Sequence, residues 1–277
     1  GTGESGNFES RDEGVRTDLK DGGRTMTRII LHGCNGAMGQ MIADLAKDDS
    51  GFQIAAGIDP KGGESPDFPV YASLKECGER ADAVVDFSTA AAVDGLLEYC
   101  GEKKIPLVLC TTGLSSEQME KVKELSGVVP VLRSANMSLG INLLHRLVKE
   151  GAKVLGMAGF DMEIVEKHHR RKLDAPSGTA MALAEALNEA MGGSCRFVYD
   201  RSQVRQPRDS KEIGISAVRG GTIVGQHDVM FLGTDEMVTF SHHAYSRAVF
   251  ARGALSAAEF LADKEPGMYD MSDVIGL

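Results

Sequence analysis

The sequence lacks three features that would place the chain in other classes of protein. It has five cysteines among 277 residues, an odd number without a paired CxxC motif, which favours reduced thiols over a disulfide framework. No apolar run reaches about 18 residues, so we expect no membrane-spanning helix. Positive charge is scarce, since the net charge is −10, and this argues against nucleic acid as the main partner. The remaining expectation is a cytoplasmic chain with one or two domains.

The first 25 residues differ from the rest of the sequence. They are rich in Gly, Asp, Glu and Arg, contain no apolar core of a signal peptide, and precede Met26, which we take as the natural start. We interpret residues 1–25 as an extension, either native or introduced for expression, and expect it to be disordered.

A glycine-rich segment follows the first apolar strand. The strand is predicted at residues 28–32, and Gly33, Gly36 and Gly39 then lead into an amphipathic helical pattern. This GxxGxxG spacing is a variant of the dinucleotide-binding fingerprint, in which glycines permit a tight turn and a close approach of the pyrophosphate. The residues expected to bind the cofactor in this segment are Gly33, Cys34, Asn35, Gly36, Ala37 and Met38.

The second apolar strand ends in an acid at the position expected for ribose binding. Asp59 follows the run at residues 52–58 and lies twenty residues after Gly39. In a Rossmann unit such an acid binds the hydroxyls of the adenosine ribose, which favours NAD. Lys61 could instead receive the extra phosphate of NADP. We therefore expect Asp59 and Lys61 to contact the cofactor, and either NADH or NADPH to be used.

Strands and helices alternate through the following residues, which predicts a parallel doubly wound sheet. Ligands bind beyond the carboxyl ends of such strands, so Ser88 and the segments at residues 110–113 and 134–137 are candidate ligand contacts. The expected elements are strands at residues 83–87, 106–110 and 128–132, and helices at residues 89–99 and 115–125, the second with Ser115 as its N-cap.

The pattern changes after residue 138, which indicates a second domain. A long amphipathic helix is predicted at residues 138–155, and a further helix at residues 246–261. In the later part of this region, β-rich runs follow one another without helices, which favours an antiparallel or mixed sheet packed on helices. These runs cover residues 213–218, 222–224, 228–232 and 237–242.

Residues 163–180 (EIVEKHHRRKLDAPSGTA) combine acids, two histidines, three cations and a helix start. Strand character at the beginning of the segment predicts that His168 and His169 point to opposite faces. Histidine is a natural proton donor near neutral pH because its ordinary pKa is about 6.5. Free N–H groups at the helix start, capped by Ser177 or Thr179, would hold a carboxylate or phosphate. The combination predicts a site for a small anion.

Each component of this segment also has an ordinary explanation. An HH pair is more often incidental than catalytic, and three consecutive cations are usually a solvated basic patch. A metal site is disfavoured because adjacent strand histidines diverge and no matching Cys, Asp or Glu ligands stand nearby. His32 and His227 have no partner that the sequence identifies. The order of the components within eighteen residues still favours a catalytic anion site.

The segment resembles the signature of the 4-hydroxy-tetrahydrodipicolinate reductase family, which comprises nicotinamide-dependent enzymes of lysine and diaminopimelate synthesis. The resemblance covers essentially Met26 to Leu277. It implies that the substrate is a small dicarboxylate, that His168 donates a proton to its ring, and that Lys172 assists as a proton donor. The matching residues of the signature are Glu163, Glu166, His168, His169, Lys172, Asp174, Pro176, Ser177, Gly178, Thr179 and Ala180.

The same resemblance implies a set of binding residues, and the sequence departs from the family at two places. Cys110 stands where the family commonly has glycine, and residues 200–212 contain none of the glycines found in a family loop at this place. The implied contacts to the dicarboxylate are His169, Lys172, Ser177, Gly178 and Thr179. The implied contacts to the nicotinamide are Cys110, Thr111, Thr112, Ser134, Ala135, Asn136 and Met137.

These observations predict an α/β protein with an N-terminal Rossmann-type doubly wound parallel sheet and a second α+β domain containing a mixed or antiparallel sheet. We expect residues 26–137 and 248–277 to form the dinucleotide-binding domain, and residues 138–247 to form a substrate-binding and oligomerisation domain. The resemblance implies a homotetramer assembled through the second-domain sheet. The alternatives are another amino-acid-linked dehydrogenase, of the aspartate or homoserine type, and a nucleotide-sensing binding protein without turnover.

Overall fold

The computed structural model describes residues 26–134 and 136–276. The expectations for residues 1–25 and for Ala135 as a cofactor contact lie outside these residues. None of the helices in the two described ranges is long and apolar enough to cross a membrane.

The first sheet consists of seven parallel strands. They are β1 (Thr27–His32), β2 (Phe52–Ile58), β3 (Val70–Tyr71), β4 (Ala83–Asp86), β5 (Leu107–Leu109), β6 (Pro130–Leu132) and β12 (Gly267–Tyr269). Their order across the sheet is β12-β6-β5-β4-β1-β2-β3. Ile29 and Ile30 are fully buried on opposite sides of β1, because a doubly wound sheet is covered on both faces. The predicted parallel sheet is confirmed.

Helices cover both faces of this sheet. They are α1 (Ala37–Asp48), α2 (Ala90–Lys103), α3 (Ser116–Ser126), α6 (Ala248–Leu261) and the short α7 (Met271–Val274). Helices α1 and α6 pack together over Ile29, whereas α2 and α3 pack over Ile30. Helix α3 starts with a capping box, in which Ser115 and Gln118 each accept the other's backbone N–H through their side chains, so the predicted N-cap is confirmed.

The second sheet consists of five strands of mixed direction. They are β7 (Asp161–His168), β8 (Arg196–Val198), β9 (Glu212–Arg219), β10 (Gly225–Leu232) and β11 (Met237–Ala244). Strand β10 is antiparallel to β7 and β11, whereas β7, β9 and β8 are parallel to one another. Helices α4 (Leu139–Gly151) and α5 (Gly178–Ala190) pack on this sheet around Ile164, Val229 and Phe231. The predicted mixed sheet packed on helices is confirmed.

The expected strand at residues 222–224 is wrong. Strand β9 ends at Arg219, and the chain turns through Gly220 and Gly221, the second of which has a φ of +52°. Residues 222–224 lie in the connection that follows, and β10 begins only at Gly225. The β-branched residues of this run are therefore placed in a turn by the two glycines that precede them.

The loop between β8 and β9 is held by ion pairs in place of glycine turns. The Arg208 guanidinium donates hydrogen bonds to Asp161 at 2.7 Å and to Glu163 at 2.9 Å, both on β7. Arg201 donates to the same Glu163 carboxylate at 2.7 Å. Glu163, the first residue of the signature, thus anchors this loop to the second sheet.

Two helical glycines provide a test of the packing at the start of α1. A methyl group on Gly39 would lie 2.3 Å from the carbonyl oxygen of Gly33, whereas one on Gly95 in α2 would meet nothing within 4 Å. We expect Gly39→Ala to lower the free energy of unfolding by about 1–3 kcal/mol through overpacking. The matched Gly95→Ala variant should raise it by about 0.5–1 kcal/mol. Denaturant unfolding measures both, and a Gly39→Ala variant as stable as the parent would contradict this packing.

Candidate active site

The glycine-rich segment after β1 forms a tight turn at the start of α1. Gly33 has a φ of +83°, and a Cβ there would lie 2.6 Å from the carbonyl oxygen of Phe87. Gly36 is the N-cap of α1 and supplies no side-chain cap, so the first N–H groups of the helix are left for a ligand. Cys34 is buried beneath the turn and packs against Gly57 of β2. A Cβ on Gly57 would lie only 2.7 Å from the Cys34 Sγ, so glycine is needed there for the close packing. This geometry suits a pyrophosphate.

The residues after β2 lie against this turn. Asn35 donates a hydrogen bond from its amide to the carbonyl oxygen of Gly62 at 2.7 Å, and the carboxylate of Asp59 accepts the N–H of Lys61 at 3.1 Å. Burial raises the pKa of the Cys34 thiol, and the neighbouring charge of Asp59 raises it further. The structure thus brings Asp59 and the exposed Lys61 to the edge of the glycine-rich turn, as a dinucleotide site requires.

A cleft of about 350 Å³ opens at the carboxyl ends of β4, β5 and β6. Six of the residues predicted to contact a cofactor line it, and Thr111 is buried between two of them. Burial raises the pKa of the Cys110 thiol, so this departure from glycine presents a neutral side chain to the cleft. The lining residues are Met38, Phe87, Cys110, Thr112, Ser134, Asn136, Met137, Arg247 and Phe250.

A buried hydrogen-bonded pair lies at the carboxyl ends of β1 and β4, beneath the proposed cofactor region. His32 at the end of β1 has its Nδ1 2.8 Å from the carboxylate of Asp86 at the end of β4. The same carboxylate oxygen accepts the N–H of Ser88 at 3.2 Å. Burial alone would raise the pKa of Asp86, but the hydrogen bonds from His32 and Ser88 outweigh it and lower the pKa. His32 thus has a partner that no local sequence signal identified.

The centre of the second site is the buried carboxylate of Glu166 on β7. Its two oxygens accept a bidentate pair of hydrogen bonds from Arg219, at 2.6 and 2.7 Å. One oxygen also accepts from His168 Nδ1 at 2.7 Å, and the other accepts the N–H of Ser177 at 2.9 Å. Burial would raise the pKa of Glu166, but these donors, Arg219 first, lower it. Glu166 therefore remains a carboxylate and requires a proton on His168 Nδ1.

The contact with Glu166 leaves Nε2 as the reactive nitrogen of His168. A Cβ on Gly225 would lie 3.2 Å from this Nε2, so glycine keeps the nitrogen accessible. The His168 ring meets the His227 ring edge-on, with centroids 5.2 Å apart. Burial, and then the proximity of His168, lower the pKa of His227 to about 4. His227 is therefore a neutral neighbour at physiological pH, and its Nε2 lies 3.1 Å from the Ser177 hydroxyl.

The rim of this site is cationic. His169 lies just after the end of β7 and is half-buried, whereas His168 within the strand is buried; that the two rings point to opposite faces stays a prediction. Burial and then the charges of Arg171 and Arg247 lower the pKa of His169. The Nδ1 atom of His169 is buried and has no hydrogen-bond partner among the described residues. Together with Lys172, these groups form a surface that suits an anion.

The start of α5 forms the other wall. Ser177 is the N-cap, and its buried hydroxyl accepts the N–H of Ala180 at 3.1 Å. Because its own N–H is bonded to Glu166, Ser177 has no free backbone donor for a ligand, contrary to our expectation. Gly178 is exposed, with open space where a Cβ would lie. Thr179 Oγ1 accepts a hydrogen bond from Asn136 at 3.1 Å, which joins this helix to the cofactor cleft.

Sequence reasoning missed four residues of this arrangement. Glu166 belongs to the signature but was given no role, although its position two residues before His168 places both on one face of the strand. Arg219, His227 and Arg247 come from β9, β10 and the start of α6, and no local pattern connects them to the motif. Their contribution depends on long-range contacts that only the folded chain provides.

Known proteins resemble both parts of the chain. Residues 27–137 match the family description "Dihydrodipicolinate reductase, N-terminus", and residues 140–275 match "Dihydrodipicolinate reductase, C-terminus". The 4-hydroxy-tetrahydrodipicolinate reductase of Caldanaerobacter subterraneus subsp. tengcongensis is 53% identical over 250 residues, which cover 90% of this chain and 98% of the relative. That of Clostridium novyi is 46% identical with the same coverage. A dipicolinate-bound dihydrodipicolinate reductase from a Paenisporosarcina species shares the fold, with a TM-score of 0.76, 22% identity, and coverage of 90% of this chain and 99% of that one.

Because the pKa of His227 is depressed in the folded protein, we expect the free energy of unfolding to depend on pH. The unfolded histidine binds a proton below about pH 6.5, but the folded one does so only below about pH 4. Stability from this group is therefore full above pH 6.5 and is lost as the pH falls towards 4. At pH 5 the loss should be about 2 kcal/mol. In His227→Gln, the difference between the free energies of unfolding at pH 7.5 and at pH 5 should be smaller than in the parent by about that amount. A difference equal to that of the parent would contradict the buried neutral histidine.

Proposed function

The chain belongs to the dihydrodipicolinate reductase family, and we propose that it reduces 4-hydroxy-tetrahydrodipicolinate to tetrahydrodipicolinate with a nicotinamide cofactor, in lysine and diaminopimelate biosynthesis. The observation that carries this function is the position of the Glu166–His168 pair and the cationic rim. Both lie next to the cofactor cleft, because Asn136 lines that cleft and bonds to Thr179 of α5. A proton donor, an anion site and a dinucleotide site therefore adjoin one another.

The residues around the glycine-rich turn fit a nicotinamide dinucleotide. The uncapped start of α1 suits the pyrophosphate, the carboxylate of Asp59 suits the ribose, and the cleft suits the nicotinamide ring. The conversion exchanges the C4 hydroxyl of the substrate for hydrogen, so one water leaves. The nicotinamide, when bound, would supply the hydride to C4, and the protein would supply the proton that balances the loss of hydroxide as water. The proposed cofactor contacts are Gly33, Cys34, Asn35, Gly36, Ala37, Met38, Asp59, Lys61, Cys110, Thr111, Thr112, Ser134, Asn136 and Met137, together with Arg247.

His168 is the proposed acid. Glu166 fixes its ring through Nδ1, so Nε2 carries the transferable proton towards the substrate. His227 stays neutral beside it and adds no competing charge. Lys172 assists as a second proton donor at the rim.

The substrate carboxylates are proposed to bind the rim and the start of α5. His169 and Lys172 provide positively polarised groups, and the first-turn N–H groups near Gly178 and Thr179 point out of the helix. Ser177 acts differently from these residues, because its hydroxyl and N–H hold the helix start against Ala180 and Glu166. The open space at Gly178 accommodates a ligand close to the backbone.

We also propose that four copies of the chain associate through the second sheet. Helices α4 and α5 share a core with the face of the sheet that holds Ile164 and Val229. The edge strand β11 alternates between exposed and half-buried residues, and Met237 is 59% exposed. An exposed sheet edge and face of this kind are suited to association with further copies. Light scattering at several concentrations distinguishes a tetramer from smaller species.

Substrate-dependent loss of absorbance in the nicotinamide band tests the activity, with 4-hydroxy-tetrahydrodipicolinate generated enzymatically in the cuvette. His168→Ala should lower turnover by about 10² to 10⁴, the usual contribution of a positioned acid, while cofactor affinity stays nearly unchanged. Lys172→Ala should lower turnover and raise the KM, because it removes both a proton donor and a charge. Nearly normal kcat in His168→Ala would reject the assignment of the acid.

Cofactor choice is tested at the end of β2. Asp59→Ala should weaken the binding of NADH more than that of NADPH, because the lost carboxylate binds a ribose hydroxyl that is phosphorylated in NADPH. Lys61→Ala should weaken mainly the binding of NADPH. Dissociation constants of both cofactors for both variants give the comparison. An equal loss for NADH and NADPH in Asp59→Ala would place the ribose contact elsewhere.

A further inference from the structure

The side chain of Asp174 already pairs with Lys172, one of the groups proposed to receive a substrate carboxylate. Its Oδ1 is 2.9 Å from Lys172 Nζ. The pKa of Asp174 is lowered first by the hydrogen bond from Lys172, and the backbone N–H of Gly178 is a further donor that lowers it. The carboxylate of Asp174 thus pairs with the Lys172 ammonium and lies near enough to the Gly178 N–H for that group to lower its pKa, and both are groups that we assign to the ligand.

The backbone of Asp174 is held more firmly than its side chain. Arg219 donates a hydrogen bond at 2.6 Å to the carbonyl oxygen of Asp174 while it also pairs with the buried Glu166. The Asp174 side chain itself is 58% exposed, and that of its partner Lys172 is 22% exposed. Exposed ion pairs contribute only about 0–1 kcal/mol. A fixed backbone with a weakly held carboxylate allows the side chain to leave without disturbing the loop.

We propose that the carboxylate of Asp174 is an internal stand-in for a substrate carboxylate. It binds Lys172 and the start of α5 until a dicarboxylate displaces it. This inference rests on the proposed function, because it takes those groups as the substrate site. Asp174 is then a specificity-determining residue. A monoanion competes with Asp174 for two donors and gains nothing else, whereas a dicarboxylate has a second carboxylate for the rim around His169 and Arg247.

The test removes the charge of Asp174 and measures anion binding by calorimetry on the full chain. Two probes are used, pyridine-2,6-dicarboxylate and acetate. In Asp174→Asn both should bind about two to five times more tightly than in the parent, since removing a competing exposed ion pair of up to about 1 kcal/mol changes the affinity by at most about fivefold. The conservative Asp174→Glu variant should restore weak acetate binding. Asp67→Asn is the matched control, because Asp67 forms an exposed ion pair with Lys47 at 3.0 Å outside the site, and it should leave both affinities unchanged.

Kinetics separate a stand-in from a residue that only positions Lys172. Loss of a stand-in lowers the KM for the substrate and leaves kcat within about twofold, whereas loss of a positioning carboxylate raises the KM and lowers kcat. Tighter acetate binding together with a lower KM supports the proposal, and equal or weaker binding of both probes overturns it. Asp174→Ser provides a second neutral variant if Asp174→Asn does not fold.

The outcomes distinguish this inference from the proposed function. If the parent neither binds pyridine-2,6-dicarboxylate nor oxidises the reduced cofactor with substrate, the proposed function is wrong and the inference is overturned with it. If the parent does both but Asp174→Asn gains no affinity, the function stands and only the stand-in role is rejected.

Discussion

The second half of the structure depends on one buried charge, the carboxylate of Glu166. A buried carboxylate is tolerated only when its lone pairs are satisfied, and removal of one partner of such a pair typically costs about 3–5 kcal/mol. Arg219, His168 and the N–H of Ser177 satisfy it here. These donors belong to β9, β7 and the start of α5, so the position of each element relative to the others follows from a single group. The requirement that stabilises this region also orients its proposed acid.

Within the signature, residues that form hydrogen bonds inside the protein stand next to residues that are left open to a ligand. His168 is fixed by Glu166, whereas the buried Nδ1 of His169 has no hydrogen-bond partner among the described residues. The N–H and the hydroxyl of Ser177 form hydrogen bonds within the protein, whereas the space beside the adjacent Gly178 is open. Asn136 then connects α5 to the cofactor cleft by its hydrogen bond to Thr179. The Asn136 amide thus links the start of α5, part of the proposed substrate site, to the proposed cofactor cleft.

The sequence predicted the parts of this structure that depend on local patterns. The apolar runs predicted five of the seven strands of the first sheet, because strands buried on both faces leave a continuous signal, and Ser115 was predicted as the N-cap of α3. The run at residues 222–224 was misleading because Gly220 and Gly221 impose a turn before it. Strands β8 and β12 have three residues each and are exposed or half-buried, so they leave no apolar run, unlike the equally short but fully buried β5 and β6. Arg219 and His227 could not be assigned, because their roles arise from strand pairing across more than fifty residues.

Neutron diffraction from a crystal of the protein with pyridine-2,6-dicarboxylate would locate the proton between Glu166 and His168. We expect this proton on His168 Nδ1, facing an unprotonated Glu166 carboxylate, with Nε2 directed towards the ligand ring. A bare Nδ1 opposite a protonated Glu166, or a ligand bound away from Nε2, would contradict this expectation.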